Sequence, residues 1–379
     1  MRIAIDARYL SDAYSGIAKY SENLLAALSQ VDASNEYVVF THPSYNRRLR
    51  VGDNFTVVPY PARPVSIRTL LMFGGRVRRA ECDFLHSLSP VAPLFGAKRQ
   101  ILTVHDLQPF TIQDEESPVR RPTQSTAASL FYKVTFPHFV RKAVWLIAVS
   151  QATKDVLARL FPEVEHKAIT VHSGVEKVYF QSPDATISQM VSKKLDLPPQ
   201  YVLYVGTAQP NKNLPAMIRA FGRCRKEYPD RLGNVQFLLV TPRDRYSAAC
   251  AKLVRQMGLH DHVRLIGPVT EEEKRVLYAR ALLLFSVTRG EGFGFPIVEA
   301  QASGLPVLAA NDASVPEVTG NTALLVDPGD EERIAAALSD LLLDENLRNV
   351  LSAAGRKNVE RFSWEQTARK VLDIYELLM

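Results

Sequence analysis

Short apolar runs alternate with longer stretches of helical periodicity along most of the chain. The first run, residues 2–6, reads Arg-Ile-Ala-Ile-Asp and has the length of a strand buried on both faces. Similar runs predict strands at residues 37–40, 55–58, 84–86, 101–104, 144–149, 201–205, 235–240, 263–265 and 281–285, and helices are expected at residues 17–29, 67–77 and 125–141. This alternation predicts an α/β fold with doubly wound, mostly parallel sheets, which bind ligands at the carboxyl ends of their strands.

The length of 379 residues indicates two domains rather than one core. Residues 176–200 contain three prolines and scattered polar residues, a composition that is typical of a linker. We therefore expect a first domain over residues 1–182 and a second over residues 183–361. Residues 362–379 read as a final amphipathic helix.

The composition is that of an ordinary globular protein, with 46% hydrophobic and 23% charged residues. No run approaches the roughly 18 apolar residues that a membrane span needs, and the first residues read as a strand rather than a signal peptide. Cys82, Cys224 and Cys250 are far apart, which favours neither a disulfide framework nor a zinc site. We expect a cytoplasmic protein.

The net charge of +6 is carried by the first half of the chain, where residues 1–200 contain 24 basic and 18 acidic side chains. Part of the excess is a cluster of arginines, Arg47, Arg48, Arg50, Arg63, Arg68, Arg76, Arg78 and Arg79. A solvated surface is one explanation, and peripheral contact with an anionic membrane or a lipid-linked diphosphate is the other. No nucleic-acid-binding motif accompanies the cluster, so we expect no nucleic acid as partner.

A glycine-rich connection follows the strand predicted at residues 281–285. Gly290, Gly292 and Gly294 let the backbone approach a ligand closely, and Pro296 is suited to the first turn of a helix. A helix N-terminus that opens from a glycine-rich loop is the usual geometry of a phosphate site. The sequence therefore predicts an anion site at residues 290–296.

Two carboxylates, Glu291 and Glu299, flank this predicted anion site. Taken alone, Glu299 is better explained as a first-turn residue that complements the helix dipole. Glu291, between glycines, is harder to explain as a packing residue. Because carboxylates cannot bind phosphate, they would accept hydrogen bonds from neutral hydroxyls, and a nucleotide-sugar carries hydroxyls on both sides of a diphosphate.

Two further positions lie where a parallel sheet binds ligands. Lys212 follows the strand at residues 201–205 and the glycine Gly206, and a lysine at such a turn is a point charge suited to a diphosphate. His105 directly follows the strand at residues 101–104. A structural role remains open for both side chains.

The stretch Glu-Gly-Phe-Gly-Phe-Pro-Ile-Val-Glu-Ala, from Glu291 to Ala300, resembles the E-x7-E motif of the retaining GT-B glycosyltransferases of family 4. Residues 305–318 and 323–328 are similar to the segments that follow the motif in bacterial members. The resemblance implies two facing Rossmann-like domains with a cleft between them and a last helix that packs back on the first domain. It is strongest to bacterial polysaccharide and O-antigen mannosyltransferases, which favours GDP-mannose as donor and leaves UDP-glucose or a GDP-deoxysugar such as GDP-rhamnose open.

Carried over residue by residue, the resemblance implies the following roles. The donor-binding residues would be Gly16, Gly206, Thr207, Lys212, Glu291, Gly292, Phe293, Gly294 and Glu299, and the acceptor-binding residues Lys19, Tyr20 and Phe110. His105 would lie beside the transferred sugar, and His105, Glu291 and Lys212 would form the catalytic group. Thr207 and Asn211 stand where the family commonly has an arginine, so Lys212 is the one strong cation of this loop.

The expected reaction is transfer of a glycosyl group, with retention of configuration, from a nucleoside diphosphate sugar to a hydroxyl of a glycan or lipid-linked acceptor. No Asp-x-Asp pattern occurs in a suitable loop, so we expect no metal and no cofactor. Two alternatives remain open: a glycoside hydrolase that uses Glu291 and Glu299 as an acid and base pair, and a catalytically silent partner of an active transferase.

Overall fold

The computed structural model describes residues 1–11, 15–111 and 124–378. This part of the chain forms two compact units. Unit 1 contains residues 1–11, 15–111, 124–174 and 362–378, and unit 2 contains residues 175–361. Each unit has a parallel sheet of its own, so each is described separately.

The strands of unit 1 follow the apolar runs of the first half of the chain. They are β1 (Arg2–Asp6), β2 (Glu36–Thr41), β3 (Phe55–Pro59), β4 (Phe84–Ser87), β5 (Gln100–Val104), β6 (Trp145–Ala148) and β7 (Ala168–Thr170). Among the described residues they form one sheet in the order β3-β2-β1-β4-β5-β6-β7, and every neighbouring pair is parallel. The chain direction across the sheet reverses between β1 and β4, the position at which doubly wound sheets bind ligands.

The strands of unit 2 form a second parallel sheet. They are β8 (Tyr201–Val205), β9 (Gln236–Val240), β10 (Val263–Ile266), β11 (Leu283–Ser286), β12 (Val307–Ala310) and β13 (Leu324–Val326). Their order within the described chain is β10-β9-β8-β11-β12-β13, again with parallel neighbours. The reversal between β8 and β11 places the ends of these two strands side by side.

Helices cover both sheets. They are α1 (Gly16–Val31), α2 (Gly74–Arg79), α3 (Gln108–Thr111), α4 (Gln124–Lys142), α5 (Gln151–Leu160), α6 (Ala185–Lys194), α7 (Leu214–Glu227), α8 (Pro229–Leu232), α9 (Arg245–Gln256), α10 (Glu271–Arg280), α11 (Phe295–Ala302), α12 (Val315–Thr319), α13 (Glu331–Leu343), α14 (Glu345–Asn358) and α15 (Trp364–Glu376). A π-helical turn, Thr69–Phe73, runs directly into α2, so the helix predicted at residues 67–77 is divided between two geometries.

The last helix, α15, packs against α1 within unit 1. It buries Val371, Ile374 and Tyr375, and the Tyr375 hydroxyl lies 2.6 Å from His86 Nδ1. Gly174 makes the approach possible, because a Cβ at this position would lie 2.3 Å from the Trp364 backbone nitrogen. The predicted end of this helix, Met379, lies outside the described residues.

The stretch predicted as a linker, residues 176–200, is folded. It contains a 3-10 helix at Lys177–Phe180 and the helix α6, and both belong to unit 2, which begins at Val175. The Asp184 side chain caps α6 by accepting hydrogen bonds from the backbone amides of Thr186 and Ile187. The prediction of a linker was therefore wrong. The prolines suggested one, but Asp184 is a helix-capping residue and the segment has regular structure.

The α/β fold class is confirmed, with parallel sheets and helices around them. The short strands β7, β12 and β13 were not among the predicted strands. In the part of the chain that the structure describes, no helix combines the length and the apolar character needed to cross a membrane.

Candidate active site

Two loops of unit 2 meet where β8 and β11 end. The Arg289 amide, in the loop after β11, donates to the Asn211 carbonyl in the loop after β8, with an N–O distance of 2.7 Å. Across the same two loops the Lys212 ammonium forms an ion pair with the Glu291 carboxylate. The structure therefore joins two of the predicted site residues that lie 79 positions apart in the sequence.

The loop after β8 has a fixed shape. Gly206 is required there, because a Cβ would lie 2.7 Å from the Tyr204 hydroxyl, which donates to the Thr207 carbonyl at 2.7 Å. Burial and the nearby Glu291 charge raise the pKa of Tyr204 well above its usual value, so its proton stays on the hydroxyl. Lys212 ends a short 3-10 helix. The loop therefore holds the backbone of Lys212 in one place.

The loop after β11 is held by residues that follow β12. The Gly290 amide donates to Asp312 Oδ2 at 2.7 Å, and Gly290 has a φ of 67°, which favours glycine. The Glu291 carbonyl accepts a hydrogen bond from the Ser314 hydroxyl at 2.8 Å. Asp312 and Ser314 thus fix the backbone on both sides of the Glu291 side chain.

The ion pair of Lys212 and Glu291 is largely removed from water, with side-chain exposures of 18% and 17%. Two charges in such a place stabilise each other, and removing one leaves the other poorly compensated. The pair therefore holds both side chains in defined positions.

Helix α11 begins at the end of the same loop. Gly294 is its N-cap residue, with a φ of 85°, and Phe293 is buried against Phe295. Gly292 is half-buried. The anion site predicted here offers fewer backbone N–H groups than expected. Pro296 has none, and the Ile297 amide already donates to the Gly294 carbonyl at 2.9 Å.

Glu299 is almost fully buried and is held by α10. Its Oε2 accepts a hydrogen bond from the Tyr278 hydroxyl at 2.9 Å, and the Lys274 ammonium lies 3.2 Å from the same oxygen. Lys274 also pairs with Glu271 at 2.9 Å. Burial and the Glu299 charge raise the pKa of Tyr278 well above its usual value, so this tyrosine remains a hydrogen-bond donor.

The structure corrects the position of Glu299 within its helix. Because α11 begins at Phe295, Glu299 lies beyond the first turn, which contains no acidic residue. Complementing the helix dipole therefore does not explain this carboxylate. Its partners Lys274 and Tyr278 were missed in the sequence, although their i,i+4 spacing places them on one face of α10.

Several buried polar groups of unit 2 have no hydrogen-bond partner among the described residues, and three of them follow strands of the sheet. They are Asn211 Nδ2, Thr241 Oγ1 and Thr288 Oγ1, and they lie just beyond β8, β9 and β11. These strands are neighbours in the sheet, so the three residues follow one edge. Since buried polar groups are normally paired, this edge is a place for a polar ligand.

In unit 1, His105 follows β5, as predicted. Its Nε2 lies 3.0 Å from the Leu88 carbonyl, and because a carbonyl only accepts hydrogen bonds, Nε2 carries the proton. Desolvation lowers the pKa of His105 to about 4, so the ring is neutral at pH 7 and its lone pair is on Nδ1. At this pH, His105 donates a hydrogen bond from Nε2 to Leu88, can accept one at Nδ1, and does not act as a general acid.

The other predicted residues of unit 1 have different environments. Tyr20 is fully buried, its ring packs edge-on against His105 with 4.8 Å between centroids, and burial raises its pKa to about 12. Lys19 is half-buried and Gly16 is exposed at the start of α1. Phe110 packs against the buried Phe136. Contact of these residues with an acceptor stays a prediction.

The chain belongs to the glycosyltransferase family whose models are described as glycosyl transferases group 1 and glycosyltransferase family 4. The group 1 model matches residues 187–358, and the family 4 model matches residues 14–177. The resemblance expected from residues 291–300 is thereby confirmed.

Bacterial O-antigen enzymes are among the relatives. The chain is 28% identical over 287 residues to O-antigen chain mannosyltransferase B of Escherichia coli, covering 74% of this chain and 71% of the relative. It is 25% identical over 309 residues to O-antigen chain mannosyltransferase RfbU of Salmonella typhimurium, covering 81% and 75%. The crystal structure of Anabaena HepE with UDP-glucose has a TM-score of 0.74 at 16% identity, with 99% of each chain covered. The fold is that of GT-B glycosyltransferases.

Proposed function

We propose that this protein transfers mannose from GDP-mannose, with retention of configuration, to a hydroxyl of a glycan or lipid-linked acceptor in cell-surface polysaccharide synthesis. The observation that carries the proposal is the ion pair of Lys212 and Glu291 at the strand ends of unit 2. It places a cation, which can bind a diphosphate, next to a carboxylate, which can accept hydrogen bonds from sugar hydroxyls. A nucleoside diphosphate sugar needs both. The similarity to two O-antigen mannosyltransferases supports mannose.

In this proposal Lys212 binds the diphosphate, and a phosphate oxygen replaces Glu291 as its partner. Glu291 then accepts hydrogen bonds from the sugar hydroxyls, and backbone N–H groups of residues 292–294 donate hydrogen bonds to them. Glu299 accepts from the ribose hydroxyls. The amide of Asn211, buried without a partner in the described structure, takes a second polar contact at the position where relatives commonly carry arginine.

The charge that develops on the leaving diphosphate is stabilised by Lys212 and by backbone amides of the loop after β11. We propose that no metal and no cofactor take part. Transfer is then expected to persist in excess EDTA, and its loss in EDTA with recovery on added magnesium or manganese would contradict this part of the proposal.

His105 is proposed to accept, at Nδ1, a hydrogen bond from a hydroxyl of the transferred sugar. Gly16 is proposed to contact the donor, and Lys19, Tyr20 and Phe110 to form the acceptor site. Because Tyr20 is fully buried, we propose that it contributes to this site indirectly, by packing against His105.

We further propose a cytoplasmic protein that contacts the inner face of the cytoplasmic membrane through the basic first half of the chain.

A different nucleotide-sugar donor is the alternative to GDP-mannose, since the structurally similar HepE is in complex with UDP-glucose. Incubation with GDP-mannose and polyprenyl-linked or glycan acceptors tests the reaction. Proton NMR of the product gives its anomeric configuration: an α-linked mannose supports retention, and a β-linked product contradicts it.

Lys274 and Tyr278 are expected to strengthen donor binding indirectly, by holding the Glu299 carboxylate. Lys274→Met and Tyr278→Phe should each weaken GDP binding about 5- to 20-fold, because the Glu299 carboxylate loses a partner that holds it. With 2′,3′-dideoxy-GDP, which lacks the ribose hydroxyls, the variants and wild type should bind equally.

The control for this comparison is Glu299→Gln, which should show the same dependence on the ribose hydroxyls. Titration calorimetry gives all of these affinities. If Glu299→Gln depends on the ribose hydroxyls and Lys274→Met does not, Lys274 has no positioning role. If neither depends on them, the ribose contact itself is wrong.

A further inference from the structure

One surface of unit 1 carries apolar side chains where a helix would normally be polar. The π-helical turn and α2 bury Thr69, Phe73 and Val77, which are spaced as one helical face. The opposite face is exposed, yet it carries Ile67, Leu71 and Met72, with exposures of 71%, 55% and 63%. The segment is therefore apolar on both its buried and its exposed side.

A fourth apolar side chain joins this surface from another part of the chain. The Leu94 amide donates to the Leu70 carbonyl at 2.9 Å, and a Cβ on Gly74 would lie 1.5 Å from the Phe95 carbonyl oxygen. Residues 94–96 thus run directly against the helical segment. Phe95 is 65% exposed. We call Ile67, Leu71, Met72 and Phe95 the apolar surface.

Positive charge predominates in the sequence near the apolar surface. Residues 54–80 contain five arginines and no acidic residue, and Lys98 and Arg99 follow Phe95. All five arginines, Arg63, Arg68, Arg76, Arg78 and Arg79, are exposed. Exposed apolar side chains with a basic rim match an anionic lipid surface, whose headgroups pair with the arginines while the acyl boundary takes the apolar side chains.

We propose that the apolar surface inserts into the interface of an anionic bilayer and that the neighbouring arginines hold its headgroups. This deepens the membrane contact of the proposed function by assigning it to residues 67–79 and 95. Vesicle binding requires no nucleotide and no transfer. Its failure is therefore distinguishable from a failure of the proposed reaction, and Lys212→Met, which is designed to stop transfer, should bind vesicles like wild type.

Cosedimentation with phosphatidylcholine vesicles that contain about a third of phosphatidylglycerol tests the proposal. Wild type should bind these vesicles and not pure phosphatidylcholine. Met72→Glu and Phe95→Glu should each weaken binding about tenfold or more, because each removes apolar contact and adds a negative charge. Arg68→Ala, Arg76→Ala and Arg79→Ala should weaken binding about fivefold each and reduce its dependence on salt.

Met190→Glu is the matched control, since Met190 is 65% exposed on α6 in unit 2. It should bind vesicles like wild type. Thermal melts of the variants at Arg68, Met72, Arg76, Arg79, Phe95 and Met190 should agree with that of wild type, because these side chains are exposed. Equal weakening by Met190→Glu and Met72→Glu would overturn the proposal, as would equal binding to neutral vesicles. A dimer that Met72→Glu dissociates without any change in vesicle binding would assign the surface to a second copy instead.

Discussion

Lys212→Met is expected to lower kcat/KM for transfer about 100- to 1,000-fold. The ammonium is the charge that the diphosphate would meet, and charge-assisted hydrogen bonds in a site partly closed to water are strong. Binding of GDP should weaken, whereas binding of guanosine should not, because guanosine has no phosphate. Titration calorimetry with the two ligands separates these effects, and equal weakening of both would remove Lys212 from the diphosphate site.

The same substitution should lower the free energy of unfolding by about 1–3 kcal/mol, since Glu291 would keep its charge without a partner. The double variant Lys212→Met with Glu291→Gln should recover most of this stability and none of the activity. Arg223→Met is a suitable control, because Arg223 also forms an ion pair with a glutamate in unit 2, but both side chains of this pair with Glu332 are largely exposed, at 52% and 84%. It should change stability little and leave transfer unchanged.

His105→Ala is expected to lower kcat about 100-fold or more with a much smaller change in the donor KM. In the proposed function the Nδ1 lone pair meets a hydroxyl of the transferred sugar in the transition state. Because the pKa of His105 is lowered to about 4, protonation of this ring should cause no step in the pH dependence of kcat between pH 5 and 8. A step of that kind that disappears in His105→Ala would show that His105 titrates during catalysis.

Two near-isosteric variants separate the two nitrogens of His105. Asparagine places an acceptor near the position of Nδ1, and glutamine keeps a donor near the position of Nε2 for the Leu88 carbonyl. We expect His105→Asn to retain more of the turnover than His105→Gln. The reverse order would assign His105 a structural role through Leu88, and wild-type turnover in His105→Ala would remove it from the reaction.

The sequence was sufficient to predict where the loops of unit 2 begin and end, because these boundaries depend on local signals. The glycines and Pro296 determine where β11 ends and α11 begins, and the apolar run before Gly206 marks the end of β8. The partners of Glu299 were not foreseen, since Lys274 and Tyr278 come from a different helix and a helical pattern does not say which helix it faces. Long-range pairing of this kind requires the fold.

The burial of Tyr20 could have been predicted. Tyr20, Leu24 and Leu28 are four residues apart along α1, so they share one face, and all three are fully buried. The acceptor contact of Tyr20 was expected from the family resemblance, whereas the spacing indicates a place in the core. The apolar surface could not be predicted from the sequence. The pattern of residues 67–77 indicates a helix, but it does not show that residues 94–96 cover only one part of that helix.

Thermal stabilisation by nucleotides tests most directly the claim that unit 2 binds a nucleoside diphosphate sugar, because a ligand that binds only the folded state raises its stability. Tm would be measured with GDP, UDP, ADP and dTDP and with their sugars. The account predicts a shift with GDP and GDP-mannose that Lys212→Met largely abolishes. A shift with UDP compounds alone would overturn the donor, and no shift with any nucleotide would contradict the central claim.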